Sequence, residues 1–165
     1  MAATNHPLSS PWSLYYHLIT DNSWTLDSYK TIMQRIESAE CVNAINDAIP
    51  EYLLYNCMFF CMKSGVGPMW EDVKNRDGGC FSYRVPNNEV AVVWKKLMCA
   101  MAGNSLTASS KYEPHINGIT VSPKKRFSVI KIWLDTCSFQ DPDIIKDIPC
   151  LPKEGCLFKK HAPEF

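Results

Sequence analysis

The stretch Gly67-Pro68-Met69-Trp70-Glu71-Asp72-Val73-Lys74-Asn75-Arg76-Asp77-Gly78-Gly79 sets a tryptophan beside a carboxylate in a polar, glycine-flanked loop. A loop is an unusual place for so large an aromatic surface. Either Trp70 folds back into the core, as tryptophans usually do, and Glu71 is a solvated charge, or the pair serves a ligand. A second concentration of charge is basic: Ser122-Pro123-Lys124-Lys125-Arg126 reads as the tip of a hairpin, with Lys131 further along the strand that follows. Metal chemistry has little support. Cys137, Cys150 and Cys156 are irregularly spaced and the four histidines are scattered, so no zinc-type ligand set is assembled and the reading is of buried thiols acting as small hydrophobes. Cys57 and Cys61, four apart in an apolar segment, would face the same side of a strand.

These residues need a sheet to position them. Apolar and aromatic residues dominate Trp12 to Ile19, which predicts a strand buried on at least one face, ended by Asp21-Asn22-Ser23. Cys41, Val42, Ile45, Ala48 and Ile49 recur at helical spacing between Glu37 and Ile49, and Pro50 supplies a stop. Tyr52 to Met62 predicts a central strand, and Cys80 to Val85 another after the glycine pair. A second helix opens after Pro86, with Asn88 as the expected N-cap, an apolar stripe of Val90, Val93, Trp94, Leu97, Met98 and Met101, and Gly103 as a left-handed C-terminal cap. Strands over His115 to Val121 and Phe127 to Leu134 follow, then at most a helical turn at Ile144 to Ile148, and an edge strand within Gly155 to His161. The expected fold is α+β, a single curved antiparallel sheet with helices on its convex face and the concave face left for ligand. Trp12 and Trp94 belong to the core.

Seventeen basic residues balance seventeen acidic ones over 165 residues, so the broad positive field of a duplex-binding protein is excluded and any nucleic-acid contact is local. One domain over residues 1–165 is expected from the length. The first residues carry no basic segment followed by an apolar run, and no stretch is long enough to span a membrane, so a soluble cytoplasmic protein without a disulfide framework is expected.

The Trp70 loop closely resembles the P-M-W-E-D-x-x-N-x-x-G-G signature of the eukaryotic translation initiation factor 4E family, the messenger-RNA cap-binding proteins. The resemblance continues through His6-Pro7-Leu8, Trp12, Leu14, Ser23-Trp24, Trp94 with Gly103 and Ser105, Gly118-Ile119-Thr120-Val121, Ile130-Lys131-Ile132-Trp133 and Leu151-Pro152-Lys153, in order along nearly the whole chain. It implies a protein without catalytic residues or cofactor that binds the 7-methylguanosine cap in translation initiation. Trp24 and Trp70 match the family's sandwich, in which a methylated, positively charged guanine lies between two indole faces. Glu71, and not Asp72, matches the carboxylate that accepts from guanine N1 and N2. Trp133 matches the tryptophan that touches the methyl group.

Two departures accompany the match. An ungapped alignment ending at Trp133 puts Lys124 at the family's phosphate-binding arginine and Val129 at its phosphate-binding lysine, so the phosphates are expected at Lys124, Arg126 and Lys131, with Lys131 on the same strand face as Trp133. Singly, each of these cations reads equally well as a solvated surface charge. The second departure concerns partners carrying a Y-x-x-x-x-L-Φ helix, initiation scaffolds and inhibitors, which the family binds on its helical back. His6 and Pro7 of that surface are present, but its helix-one tryptophan becomes Asn43 and its Leu-Glu pair becomes Lys95-Lys96, removing an aromatic anchor and reversing charge. Three readings of function stay open: a cap binder in initiation, a cap-sequestering repressor that recruits no scaffold, and an interaction module with a decayed slot. A cap-hydrolysing enzyme is disfavoured: its chemistry needs a helix bearing several metal-binding carboxylates, and the only glutamates of the first helix are Glu37 and Glu40.

Overall fold

Alternation along the strands decides which side chains meet the helices and which are left for the opposite face. In the computed structural model, which describes residues 4–162 and leaves the ends of the expected domain, 1–3 and 163–165, outside the described residues, seven strands form one antiparallel sheet. They are β1 (Pro7–Leu18), β2 (Lys30–Ser38), β3 (Cys57–Lys63), β4 (Gly79–Pro86), β5 (Ile116–Pro123), β6 (Phe127–Leu134) and β7 (Leu157–Lys160), in the order β2-β1-β3-β5-β6-β4-β7. Trp12, Leu14, Phe59, Cys61, Phe81, Tyr83, Ile119, Val121, Ile130 and Ile132 point to one face and pack under α1 (Ala39–Ala48) and α3 (Val90–Ala102). The expected α+β sheet with helices on the convex side is the observed one. Trp12 and Trp94 lie in its core, 4% and 2% exposed, and Cys57 and Cys61 share that buried side.

The intervening residues of the same strands, Phe60, Met62, Cys80 and Trp133, join Val66 in a smaller cluster on the other, concave face. Burying each such side chain stabilises the sheet by roughly 1.5–3 kcal/mol. Close backbone approach fixes the glycines around it: a side chain at Gly78 would run into the Leu134 carbonyl, and one at Gly118 into Met62.

Several elements differ from expectation. β2 escapes the sequence because eight of its nine residues leave the core, with Ile36 alone fully buried, so its pairing with β1 is a backbone affair with no hydrophobic alternation to betray it. Arg35 takes a left-handed φ of 57° where that ladder is irregular. The strand expected from Tyr52 begins only at Cys57, because Pro50, pre-set for a helix start, opens a one-turn helix α2 (Glu51–Leu54) that buries Leu54. Ser38 caps α1 through its side chain, accepting from Cys41 N at 3.2 Å. At α3 the N-cap is Glu89 without a side-chain bond, not Asn88, and Gly103 has φ −86° while its successor Asn104 carries the left-handed turn at φ 51°. Between residues 139 and 148 only a 3-10 turn, Pro142–Ile144, forms. β7 pairs with β4 at the sheet edge, shorter than the expected Gly155 to His161 but in the expected place. Among the described residues no helix is long and apolar enough to cross a membrane.

Candidate functional site

The Trp70 loop leaves β3 and is held by its own polar residues. Asn75, fully buried, donates through Nδ2 to the carbonyls of Gly67 (2.9 Å) and Met69 (2.8 Å), and its Oδ1 accepts from Asn117 Nδ2 at 2.9 Å. Asn117 also donates to the Lys74 carbonyl at 2.9 Å, tying the loop to β5. Asp72 accepts from the backbone N–H of Gly67 (3.0 Å) and of Lys74 (2.8 Å). Asp72, which the resemblance sets aside in favour of Glu71 as the reader of the base, is one of the braces that give the loop its shape. The same braces keep Trp70 out of the core, 41% exposed, which removes the reading in which it folds back.

Trp24 lies in the segment that joins β1 to β2. Its ring lies parallel to that of His17, with centroids 4.2 Å apart and planes 2° apart, and it remains 51% exposed. His17 is wholly buried and its Nε2 meets the Ser23 carbonyl at 2.8 Å; a carbonyl only accepts, so Nε2 is the nitrogen that carries the hydrogen. One face of Trp24 is therefore already covered, and only the other can receive a planar ligand. Tyr29 links the two loops. Its ring lies 6.3 Å from Trp24 and meets Phe60 edge-on at 5.1 Å, and burial, reinforced by the nearby Glu71 carboxylate, pushes its phenol up to about 12. Glu71 itself is exposed. Neither His17 nor Tyr29 stood out in the sequence, where His17 is one ring among several in an apolar run and Tyr29 stands alone among polar residues. A recess of about 290 Å³ lies between residues 26–31 and 65–68, with Tyr15 and Tyr29 in its wall.

Phe60 continues the surface into a trough of about 540 Å³ along β6, β4 and β7. Trp133 is at its inner end, 6% exposed, donating from Nε1 to Thr120 Oγ1 at 3.3 Å. His161 packs on the Trp133 ring with centroids 4.5 Å apart, and burial, with Lys131 adding to it, lowers the imidazole to about 4. Of the expected phosphate residues, Lys124 and Lys131 line the trough. Arg126 does not: it is exposed at the hairpin tip and outside the trough wall. Val129 lines the wall where a cation was missing, and Lys125, Arg84 and Lys159 supply further positive charge. Arg84 and Lys159 come from β4 and β7, and only strand pairing brings them opposite β6. Among the described residues no carboxylate lines the trough. Among the described residues no three His, Cys, Asp or Glu side chains are grouped to hold a metal ion.

The helical back carries the expected partner residues. His6 Nδ1 meets Glu40 Oε1 at 2.6 Å and the His6 backbone N–H donates to Oε2 at 3.1 Å, which holds the Glu40 carboxyl down at about 2. Pro7 opens β1 beside it. A small groove of about 120 Å³ runs between Leu8, Val42, Asn43, Cys99 and Gly103, with Asn43 exposed on its rim.

The family model described as eukaryotic initiation factor 4E matches residues 7–157. A eukaryotic translation initiation factor 4E of Eremothecium gossypii is 28% identical over 163 residues, covering 93% of this chain and 70% of the relative. One from Xenopus laevis is 25% identical over 155 residues, covering 90% and 70%. Among solved structures, C. elegans eIF4E-3 in complex with the 4E-binding protein Mextli and a cap analog superposes with a TM-score of 0.72 at 25% identity, over 82% of this chain and 77% of that one. A schistosome eIF4E complexed with m7GpppG and 4E-BP shares the fold, with a TM-score of 0.69 at 22% identity over 81% and 74%.

Proposed function

Because this chain belongs to the eukaryotic initiation factor 4E family, we propose that it binds the 7-methylguanosine cap of messenger RNA on its concave face. The observation that carries the reading is that two exposed tryptophans, Trp24 and Trp70, flank the Tyr29–Glu71 neighbourhood, and that this neighbourhood opens through Phe60 into a trough lined by cations and no carboxylate. N7-methylation gives guanine a positive charge. The free face of Trp24 and the face of Trp70 offer such a base stacking and cation-π attraction together, and Glu71 offers its N1–H and N2–H a charged acceptor. Trp133 backs the slot from the inner end of the trough, and Lys124 and Lys131, joined by Lys159, take the phosphates in place of Arg126.

Tryptophan fluorescence titration with 7-methyl-GTP and with GTP tests the proposal. The methylated nucleotide is expected to quench more strongly and bind more tightly, and its affinity to fall with added salt as the phosphate contacts are screened. Equal affinity for the two nucleotides overturns it.

One observation favours a repressive role over recruitment. The groove on the helical back has the amide of Asn43 on its rim and the exposed Lys96 nearby in α3, so a partner helix finds no aromatic anchor in it. A cap binder of this build holds messages without delivering them to a scaffold.

A further inference from the structure

The trough runs on past the cations that a cap nucleotide's own phosphates need. Along β6 the residues facing it are Trp133, Lys131, Val129 and Phe127, a run of about 20 Å at the usual strand rise. On the adjoining strand Ser82 pairs with Lys131, Arg84 with Val129 and Pro86 with Phe127, which brings Arg84 beside Phe127 at the far end. The Arg84 guanidinium lies 4.9 Å from the centroid of the Phe127 ring. It forms no ion pair with a carboxylate among the described residues. Lys124 and Lys125 stand at the hairpin tip, separated from Phe127 by Arg126, and the Lys124 N–H donates to the Phe127 carbonyl at 2.8 Å. A flat cation laid on a phenyl ring, exposed at the end of a carboxylate-free channel in a chain of zero net charge, is a stacking platform for an unpaired base rather than a general anion patch.

Resting on the cap reading above, we propose that Arg84 and Phe127 form a second nucleoside site, which stacks the base of the nucleotide next to the cap, so that the ligand recognised is the 5′ end of an RNA and not the cap nucleotide alone. The platform presents a π surface and no carboxylate to read a base edge, so it takes any base and prefers purines, whose stacking area is larger. Lys124 and Lys125 hold the phosphate that leads to that nucleoside. Lys131 and Lys159 remain with the phosphates next to the methylated base.

The test uses ligands of equal charge. Affinities of the whole chain are measured for 7-methyl-GDP, for the cap dinucleotide m7GpppA, and for the same dinucleotide with an abasic ribose in place of adenosine. The adenine is expected to improve affinity about fivefold or more over the abasic ligand, and Arg84→Ala and Arg84→Lys are each expected to abolish that gain while leaving 7-methyl-GDP binding as in the wild type. Arg84 is exposed, so neither variant disturbs the core. Phe127→Leu, which keeps an apolar side chain on β6, should reduce the gain in the same way. Equal binding of the adenosine and abasic ligands by the wild type overturns the proposal, as does a full gain retained in Arg84→Lys, which would make the contact one of charge and not of stacking. The cap reading fails separately, through 7-methyl-GDP binding no better than GDP.

Discussion

At Glu71 a single carboxylate is asked to do two things that can be measured apart. It sits close enough to Tyr29 to help hold that phenol up near 12, so Glu71→Gln is expected to lower the Tyr29 titration part of the way back toward 10, seen by ultraviolet absorbance without any ligand. With ligand, the same substitution should weaken 7-methyl-GTP binding by about 1–3 kcal/mol, because it removes the charged acceptor of the guanine edge, and should narrow the preference for guanine over adenine. A shifted Tyr29 with unchanged ligand binding would place Glu71 at the site and deny it the reading role. Trp24→Ala and Trp70→Ala should each cost roughly 1–3 kcal/mol in affinity, the scale of base-aromatic stacking. His161 supplies a pH signature. Its imidazole is depressed from 6.5 to about 4 in the folded protein, so its neutral form is favoured by folding: that stability is fully present above 6.5 and is lost as pH falls through about 4. Thermal melting between pH 7 and 4 should show the decline, and His161→Phe, which keeps a ring against Trp133, should make it shallower. An identical decline in the variant would assign the pH dependence to other groups.

The Trp70 loop is an element without regular secondary structure, and its rigidity comes from three polar side chains. Asn75 satisfies two loop carbonyls and one β5 amide from a fully buried position, so Asn75→Ala leaves several buried groups unpaired at about 1–3 kcal/mol for each such group. The expected result is a lower melting temperature together with weaker cap binding, although Asn75 touches no ligand. Asp72→Ala should act in the same direction by freeing the Gly67 and Lys74 amides, where the sequence alone ranked Asp72 as a bystander. If either variant binds 7-methyl-GTP as the wild type does, the loop holds Trp70 in place by other contacts. Gly78, at the end of this loop, permits the close approach to the Leu134 carbonyl that lets β4 start beside β6.

Across the whole molecule, the proposed cap site and the helical back lie on opposite faces of the sheet. The back surface is tested by its own variants. A peptide bearing the Y-x-x-x-x-L-Φ helix is expected to bind the wild type weakly, and the double replacement Asn43→Trp and Lys95→Leu to tighten it by at least about tenfold, since an interface of this size draws most of its energy from a few buried anchors. Calorimetry with the peptide decides this, and tight binding by the wild type would restore the recruiting role. Cap affinity should not change, because Asn43 and Lys95 lie on helices behind the sheet.

The core helices and the strands that bury one face were legible from sequence, because apolar periodicity is written in the chain: β6 and the stripe of α3 fell where Val, Ile, Leu and Trp recur at two- and 3.6-residue spacing. Trp70, Glu71 and Asn75 were equally visible, as parts of one long contiguous motif. What the tertiary structure decided is whatever depends on neighbours distant in sequence. β2 carries no apolar pattern and exists through backbone pairing at an edge. The partner of Trp24 is His17, and the link between the two loops is Tyr29, contacts that spacing alone does not encode. That Lys159 lines the trough, and that Arg84 meets Phe127, follow from register across β7, β4 and β6. A charge read along the chain tells only that a cation is present; which face of the sheet it serves is fixed when the strands pair.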